Sequence, residues 1–581
     1  MIHTTEGVSF SAVAGVNHAD MATDTSPRAA TPAPSENPGL KRHVGVVGLL
    51  FASVGSIIGS GWLFGALNAA QTAGPAAIVS WLLGGLLILL LALVYAELGT
   101  MYPLSGGVVR FPHMSFGNLA SFASGWITWV AVSTTAPIEV AAALQYGTRY
   151  APFTSENTVN GSTVYTLTAL GYAAAVVLMG VFVVVNAVGV RWFARINNVL
   201  VGWKLVVILL VIVAFLVTAF HGDNFTSHGF KPSGWHGVFT AVATSGIVFS
   251  YLGFRQGIEL AGETDNPRRN VPLAVIGSVL ITAVIYVALQ VAFIGSLDPS
   301  TLADSGSWAS LSFANDFGPL AAVATALGLT WLAVVLYADA IISPGDTGLI
   351  YTTVTARITY AMAKNGNAPS ALGRTNSRGV PMIGLLIAFV VGLVALLPFP
   401  SWQQLVGFIT SATVLSFASG PLVLAALRKQ VPDAERPFRL PGGHVIPFLA
   451  FWGSNLIVYW SGWTTVWKLM IAVLIGFVLL AVFAAVGQLK GKNLDARSGL
   501  WVVPWLVGLT VISFLGSYPE PATGNLMKLG FVTSFLLIGA LSAVVYVMAY
   551  RMRLPDDRAR AYVEEVLAEA DAEETEVGGA V

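Results

Sequence analysis

Long apolar runs, each interrupted by a few polar or glycine-rich positions, fill the chain from residue 44 to residue 550. A helix that crosses a bilayer needs about 20 apolar residues. A window of that size finds segments at 44–71, 75–101, 117–148, 165–188, 194–220, 237–260 and 272–297. Further segments follow at 318–363, 380–399, 403–427, 445–462, 465–488, 500–517 and 528–550. Read as helices, they make an all-α polytopic membrane protein of 12–14 transmembrane helices, fourteen if each segment crosses once. The segment 318–363 is too long for one crossing and is interrupted at Ser343-Pro344-Gly345-Asp346. It reads either as a re-entrant piece plus a helix or as one long tilted helix.

Composition agrees with this pattern. Only 10% of the 581 residues are charged and 55% are hydrophobic, whereas soluble domains carry about 25% charged residues. The formal net charge is zero, so no global field draws nucleic acid or an anionic partner. The absence of Cys removes disulfides and thiol catalysis. The stretch 21–39 is rich in Ala, Pro, Ser and Thr, which makes 1–40 a disordered tail. No apolar run precedes Lys41-Arg42-His43, and the run that follows has no cleavage site, so a retained first helix is expected. Met21 is an alternative start.

Cytoplasmic loops collect Lys and Arg. With the N-terminus inside and the segments alternating, the inner side holds Lys41, Arg42, Arg110, Arg191, Arg195, Arg268, Arg269, Arg357, Lys364, Arg374, Arg378, Arg428, Lys429, Arg436, Arg439, Lys490, Lys492, Arg497, Arg551, Arg553, Arg558 and Arg560. The outer positions hold Arg149, Lys231, Lys468 and Lys528. This bias would vanish if one crossing were miscounted. The expectation is a multi-pass protein of the inner or plasma membrane with both termini cytoplasmic. The chain divides into the tail 1–40, a core 41–430, peripheral helices 431–550 and a C-terminal tail 551–581, whose acidic part 564–576 reads as a solvated helix or tail.

Two segments are not clean helices. One carries Gly55-Ser56-Ile57-Ile58-Gly59-Ser60-Gly61, and each Gly weakens a helix by about 1 kcal/mol. The other carries Phe249-Ser250-Tyr251-Leu252-Gly253-Phe254-Arg255-Gln256-Gly257. Close helix packing explains a lone glycine-rich stretch. Two of them, in helices 1 and 6, occupy corresponding places in two five-helix halves, the mark of an inverted-repeat transporter. Unwound backbone persists in a bilayer only where it is buried in protein or lines a wet cavity. There the free N–H groups of one half-helix suit a carboxylate, and free carbonyls suit an ammonium.

The stretch Gly55-Ser56-Ile57-Ile58-Gly59-Ser60-Gly61 resembles the helix 1 signature of the amino acid–polyamine–organocation (APC) superfamily. Tyr95-Ala96-Glu97-Leu98, Pro103 and Gly106-Gly107 are similar to its helix 2 to helix 3 region. Gly262-Glu263 and Asn266-Pro267-Arg268-Arg269-Asn270-Val271-Pro272 resemble the loop after helix 6, and Arg357-Ile358-Thr359-Tyr360-Ala361-Met362-Ala363-Lys364-Asn365-Gly366 the end of helix 8. The resemblance implies a LeuT-type 5+5 inverted repeat with about four additional C-terminal helices. Residues 339–348 followed by Arg357 look most like the bacterial permeases that include aspartate–proton symporters.

By the same resemblance, Gly59, Ser60 and Gly61 would meet a substrate carboxylate. Ser56 or Ile57, with Phe249, Ser250 and Leu252, would meet its amino group through carbonyls of the two breaks, and Gly253 belongs to the same substrate site. Phe249, Tyr251 and Phe254 are candidates for an aromatic lid, or ordinary packing residues. Arg255 departs from the family pattern; it either pairs with a second substrate carboxylate or with Glu259, one turn on. Lys204 resembles a helix 5 lysine that stands in for sodium in proton-coupled members, snorkelling being the alternative. Glu139, Asp339 and Asp346 are intramembrane carboxylates and functional candidates by default. Of these, Glu139 and Asp346 are read as proton-relay residues and Asp339 as interfacial. Glu97 is expected to pair with a cytoplasmic Arg or Lys. His221, His228 and His236 are too widely spaced for a metal site and read as solvated.

The expected function is secondary import of an amino acid by proton symport, acidic or small amino acids favoured. Exchange, neutral amino acid transport or polyamine transport on the same fold is the alternative, and Arg255 opposes a polycation. A channel, an enzyme and a transport-derived nutrient sensor are the other classes weighed; no phosphate-binding loop or H-E-x-x-H is present. No metal, organic cofactor, nucleic acid or ATP-binding partner is expected, only the bilayer, the substrate and a coupling ion, H+ or, failing that, Na+.

Overall fold

The computed structural model describes residues 44–104, 106–159, 162–188, 190–313, 317–364, 368–376, 379–487, 493–518 and 526–578. The tail 1–40, the Lys41-Arg42-His43 cluster, Asn365, Gly366, Arg378, Lys490 and Lys492 lie outside these residues, as do the side chains of Arg191, Arg195 and Lys364.

Among the described residues, ten helical stretches are long and apolar enough to cross a membrane. Gly234–Thr244 and Phe249–Glu259, bent by 44°, form an eleventh, and Val46–Ile57, Met382–Ala395 and Val445–Trp460 are shorter apolar helices. The stretch Gly61–Met101 turns at Gly74–Ala76, where Gly74 adopts φ +63°. Its first part, Gly61–Ala73, continues Val46–Ile57 across Ile58, Gly59 and Ser60 to complete the first span. Its second part, Ala77–Met101, is the second span. Among the described residues, each of the fourteen segments read from hydropathy contains a helix, and ten or eleven of these helical stretches have the length and apolarity of a span.

The segment 318–363 divides into a short piece plus a helix, but the division falls at 327–329 rather than at 343–346. A short helix, Pro319–Ala326, is separate from a long one, Thr330–Lys364, and Gly328 at φ +74° sits in the joint. The long helix runs unbroken through Pro344. A membrane helix tolerates such a proline because neighbouring helices shield the freed backbone group, and Ser343, Pro344, Asp346 and Thr347 are all buried here. An antiparallel hairpin, Thr154–Val159 with Ser162–Leu167, precedes the fourth span and departs from the purely helical expectation.

The two broken helices cross at the centre. A Cβ on Gly253 of the sixth span would collide with the backbone of Ser56 and Ile57 of the first, so the hydrogen-only side chain lets the two backbones touch. The seventh span, Pro267–Ser296, packs on the first, second and fifth; the eighth, Thr330–Lys364, packs on the third and fifth. This is the LeuT-type arrangement, with four further spans outside the core. Val176, Val177, Val184, Val213, Leu474, Val478 and Leu536 are exposed, and that apolar surface suits lipid rather than water.

Polar clamps close the face that carries Glu97 and the helix Asp556–Gly578. Glu97, fully buried at the end of the second span, accepts from Arg428 Nη2 at 2.5 Å and from the Leu440 backbone nitrogen at 2.7 Å. The helix Asp556–Gly578 is not a free tail. Ala559, Val563 and Val566 are buried at helical spacing, Tyr562 stacks on His113, and Arg558 pairs with Asp495 at 2.7 Å. Desolvation shifts Arg436, beside Glu97, below the usual guanidinium range despite that carboxylate. His236, read as solvated, lies flat against Tyr518 with ring centroids 4.0 Å apart.

Candidate functional site

The first span unwinds at Ile58, Gly59 and Ser60 because neither Gly59 nor the flanking Gly55 and Gly61 favours helix. The N-terminus of the half-helix Gly61–Ala73 therefore opens into the protein interior. Glu139, two residues after Pro137 on the third span, reaches this point: its Oε2 accepts the Ser60 backbone N–H at 2.9 Å. An anion at a helix N-terminus is stabilised by unpaired N–H groups and the helix dipole together. The other carboxylate oxygen, Oε1, is buried without a hydrogen-bond partner. A Cβ on Gly59 would lie 2.7 Å from Glu139 Oε1 and 3.1 Å from Thr347 Oγ1, so the missing side chain lets both groups approach the break.

Behind Thr347 sits a buried ion pair. Lys204 of the fifth span and Asp346 of the eighth are fully buried and 2.6 Å apart. The ammonium also donates to the Gly55 carbonyl at 2.9 Å and to Thr347 Oγ1 at 3.3 Å. One cation thus ties the broken first span to the eighth and the fifth. Asp346 Oδ1 has no hydrogen-bond partner. Lys204 does not snorkel; it points inward.

In the sixth span the helix Gly234–Thr244 ends before Gly246, whose φ is +90°, and a 3-10 stretch Phe249–Arg255 follows. The bend therefore lies at residues 245–248, just ahead of the segment expected to break, which is itself 3-10 rather than α-helical over Phe249–Arg255. Gly246 supplies the positive φ, and a Cβ there would press on Trp402 at 2.8 Å.

Between the breaks is a cavity of about 20 Å³, room for a water and much less than an amino acid. Ser56, Ile57, Gly59, Phe249, Leu252, Gly253 and Glu139 line it, as the site expectation has them. Ser60, Gly61, Ser250, Tyr251 and Arg255 do not. Ser60 is held by Glu139 and Trp402, and Ser250 donates to the Gly246 carbonyl. Tyr251 turns away to pack between Trp81 and Tyr286, and Phe254 packs on Phe417. Of the three lid candidates only Phe249 faces the cavity.

Arg255 is buried and donates from Nε to Glu259 Oε1 at 2.8 Å, the internal pairing weighed above. Its two terminal nitrogens, Nη1 and Nη2, are buried without hydrogen-bond partners. Asp339, read as interfacial, is fully buried within the protein and accepts from Trp203 Nε1 at 2.9 Å.

Sequence reasoning missed Thr135, Thr347, Tyr351, Ile409 and Thr413, which complete the lining. It also missed Trp402, which donates to Ser60 Oγ at 2.8 Å and packs edge-on to Phe249 and against Phe64. Thr347 adjoins the flagged Asp346 and could have been found by that adjacency. Trp402 has no such signal, since its role rests on a contact between residues 342 positions apart.

A family model described as amino acid permease matches residues 44–514. The chain is 40% identical to a glutamate/serine transporter, AimA, of Bacillus subtilis (strain 168), over 88% of this chain and 94% of that protein. It is 34% identical to an aspartate-proton symporter of the same organism, over 90% of this chain and 98% of that protein. A branched-chain amino acid permease, BcaP, also of Bacillus subtilis, is 27% identical over 77% of this chain and 93% of its own length. The chain belongs to the amino acid permease family.

Proposed function

We propose that this permease imports an acidic or small amino acid together with a proton, across a cell membrane whose cytoplasmic side holds both termini. The observation that carries the proposal is the carboxylate of Glu139 on the Ser60 N–H, at the break of the first span. Two anions compete for one helix N-terminus. A substrate carboxylate takes that position only when Glu139 withdraws, and a proton on Glu139 removes its charge and so weakens its hold on the N–H. Substrate and proton then load together.

Lys204 and Asp346 couple this event to helix packing. The ammonium joins the Gly55 carbonyl to Asp346, in the manner of a bound cation between the first and eighth spans. Protonation of Asp346, or loss of the lysine's proton, removes the attraction and frees the first span to move. A proton is the coupling ion on this reading, because a lysine charge already fills the position a metal cation would need.

The cavity's hydroxyls, from Ser56, Thr135, Thr347, Tyr351 and Thr413, suit a polar substrate. Arg255 stands outside that lining, but its unpaired terminal nitrogens would offer a bidentate partner to a side-chain carboxylate once the cavity enlarges to hold a substrate. A glutamate/serine transporter and an aspartate-proton symporter among the relatives favour the same substrates. The positive-inside bias of the loops supports the orientation. The test is uptake of radiolabelled glutamate, aspartate and serine into proteoliposomes with and without an inward proton gradient. Gradient-dependent accumulation of any of them is expected; accumulation indifferent to the gradient overturns the proton reading.

A further inference from the structure

We infer that Asp339 is a proton relay residue that loads the Lys204–Asp346 pair from the Thr330 end of the eighth span, an inference that rests on the proton-coupled reading above. Asp339 is fully buried, and its Oδ1 accepts from Trp203 Nε1 at 2.9 Å and from Ser343 Oγ at 2.8 Å. Its Oδ2 is buried without a partner. A carboxylate so placed, with one oxygen satisfied and the other bare, has an unused position suited to a proton.

Asp339, Ser343 and Asp346 follow at intervals of four and three on one helix, so they line a single face. That face meets the fifth span: Trp203 touches Asp339 and its neighbour Lys204 touches Asp346. Asp339 lies about 14 Å along the helix from Thr330, and Asp346 about 10 Å further. The charged groups facing this row from neighbouring spans are Lys204 on the fifth and, at the cavity, Glu139 on the third. The row runs from the end of the helix near Thr330, outer in the proposed orientation, to the coupling pair.

The transfer balances without any further reactant. Asp339 gains a proton from the outer aqueous side. Its O–H bond breaks as that proton passes to Ser343 Oγ, while the Ser343 hydroxyl turns and gives its own proton to Asp346 Oδ1, which is free to accept it. Asp339 returns to a carboxylate, Asp346 becomes neutral, and the ammonium of Lys204 keeps its three protons but loses its partner. The proton reaches the centre without crossing the substrate cavity.

The experiment uses the full chain in proteoliposomes, with radiolabelled glutamate, aspartate and serine, and reads both gradient-driven accumulation and counterflow. Asp339→Asn retains the acceptor for Trp203 and Ser343 but carries no proton. Its accumulation should fall at least tenfold and lose its dependence on external pH, while counterflow stays within twofold of wild type. Ser343→Ala, which removes only the hydroxyl link, should slow accumulation in the same selective way and is the deciding variant if Asp339→Asn does not fold. Wild-type accumulation in Asp339→Asn, or equal loss of accumulation and counterflow in a folded variant, overturns the relay. A wild-type protein that ignores the gradient removes the proton reading itself, and the relay with it.

Discussion

Glu139 Oε2 lies 2.9 Å from the Ser60 backbone nitrogen, although the two residues belong to different spans 79 positions apart. The carboxylate thus occupies the donor end of a half-helix inside a membrane protein, where a substrate carboxylate is also expected. Glu139→Gln preserves an oxygen that can accept the N–H but abolishes titration. Gradient-driven accumulation should fall at least tenfold and its pH dependence should flatten, while counterflow survives. A Glu139→Gln protein with the wild-type pH profile would show that the proton is carried elsewhere.

The buried Lys204–Asp346 pair makes a prediction about stability. Removing one member leaves the other charged and without compensation, which costs about 3–5 kcal/mol where pairs are fully buried. Lys204→Met and Asp346→Leu should each lower the thermal unfolding midpoint in detergent, and the double variant should recover much of the loss. Losses that simply add would mean that the two side chains do not interact. All three variants should fail to accumulate substrate against a gradient, because the cation that ties the first span to the eighth is gone or unanswered.

Gly253 tests the crossing of the two broken helices. A Cβ at this position meets backbone atoms of Ser56 and Ile57, and backbone cannot rotate away as a side-chain tip does. Gly253→Ala should therefore impair uptake of every substrate at least tenfold, through a displaced first span. The checking measurement compares it with Gly345→Ala, where a Cβ meets nothing within 4 Å and uptake should change less than twofold. Equal behaviour of the two would remove the close crossing from the account.

Much of this architecture was legible in the sequence. The fourteen apolar windows each coincide with a helix, ten or eleven of the helical stretches being long and apolar enough to cross, because a bilayer imposes a minimum length on every crossing. Glycine clusters marked the first break because helix propensity is local. The stretch Phe249–Arg255 is 3-10 rather than α-helical, as its irregular sequence suggests, but the bend itself falls just ahead of it, at Gly246 with its positive φ. Pro344 suggested an interruption that burial among neighbours suppresses. The hairpin beginning at Thr154 carried a turn signal, Asn160-Gly161, between β-branched runs. The ion pair of Lys204 with Asp346 and the hydrogen bond of Trp402 to Ser60 were not legible, since each depends on how distant spans pack.

Arg255 carries the last prediction, on selectivity. Its Nε is committed to Glu259, but Nη1 and Nη2 are buried and unpaired. If they receive a side-chain carboxylate, Arg255→Lys retains the charge and loses the planar fork. Losing one charge-assisted hydrogen bond costs about 1.5–3 kcal/mol, so the KM for glutamate and aspartate should rise roughly tenfold or more while that for serine stays within about twofold. Glu259→Gln separates the structural role: it weakens the internal pair without removing the guanidinium, and should leave the preference for acidic over neutral substrates intact. Equal impairment of glutamate and serine by Arg255→Lys would assign the arginine to the fold, with Glu259 as its whole purpose.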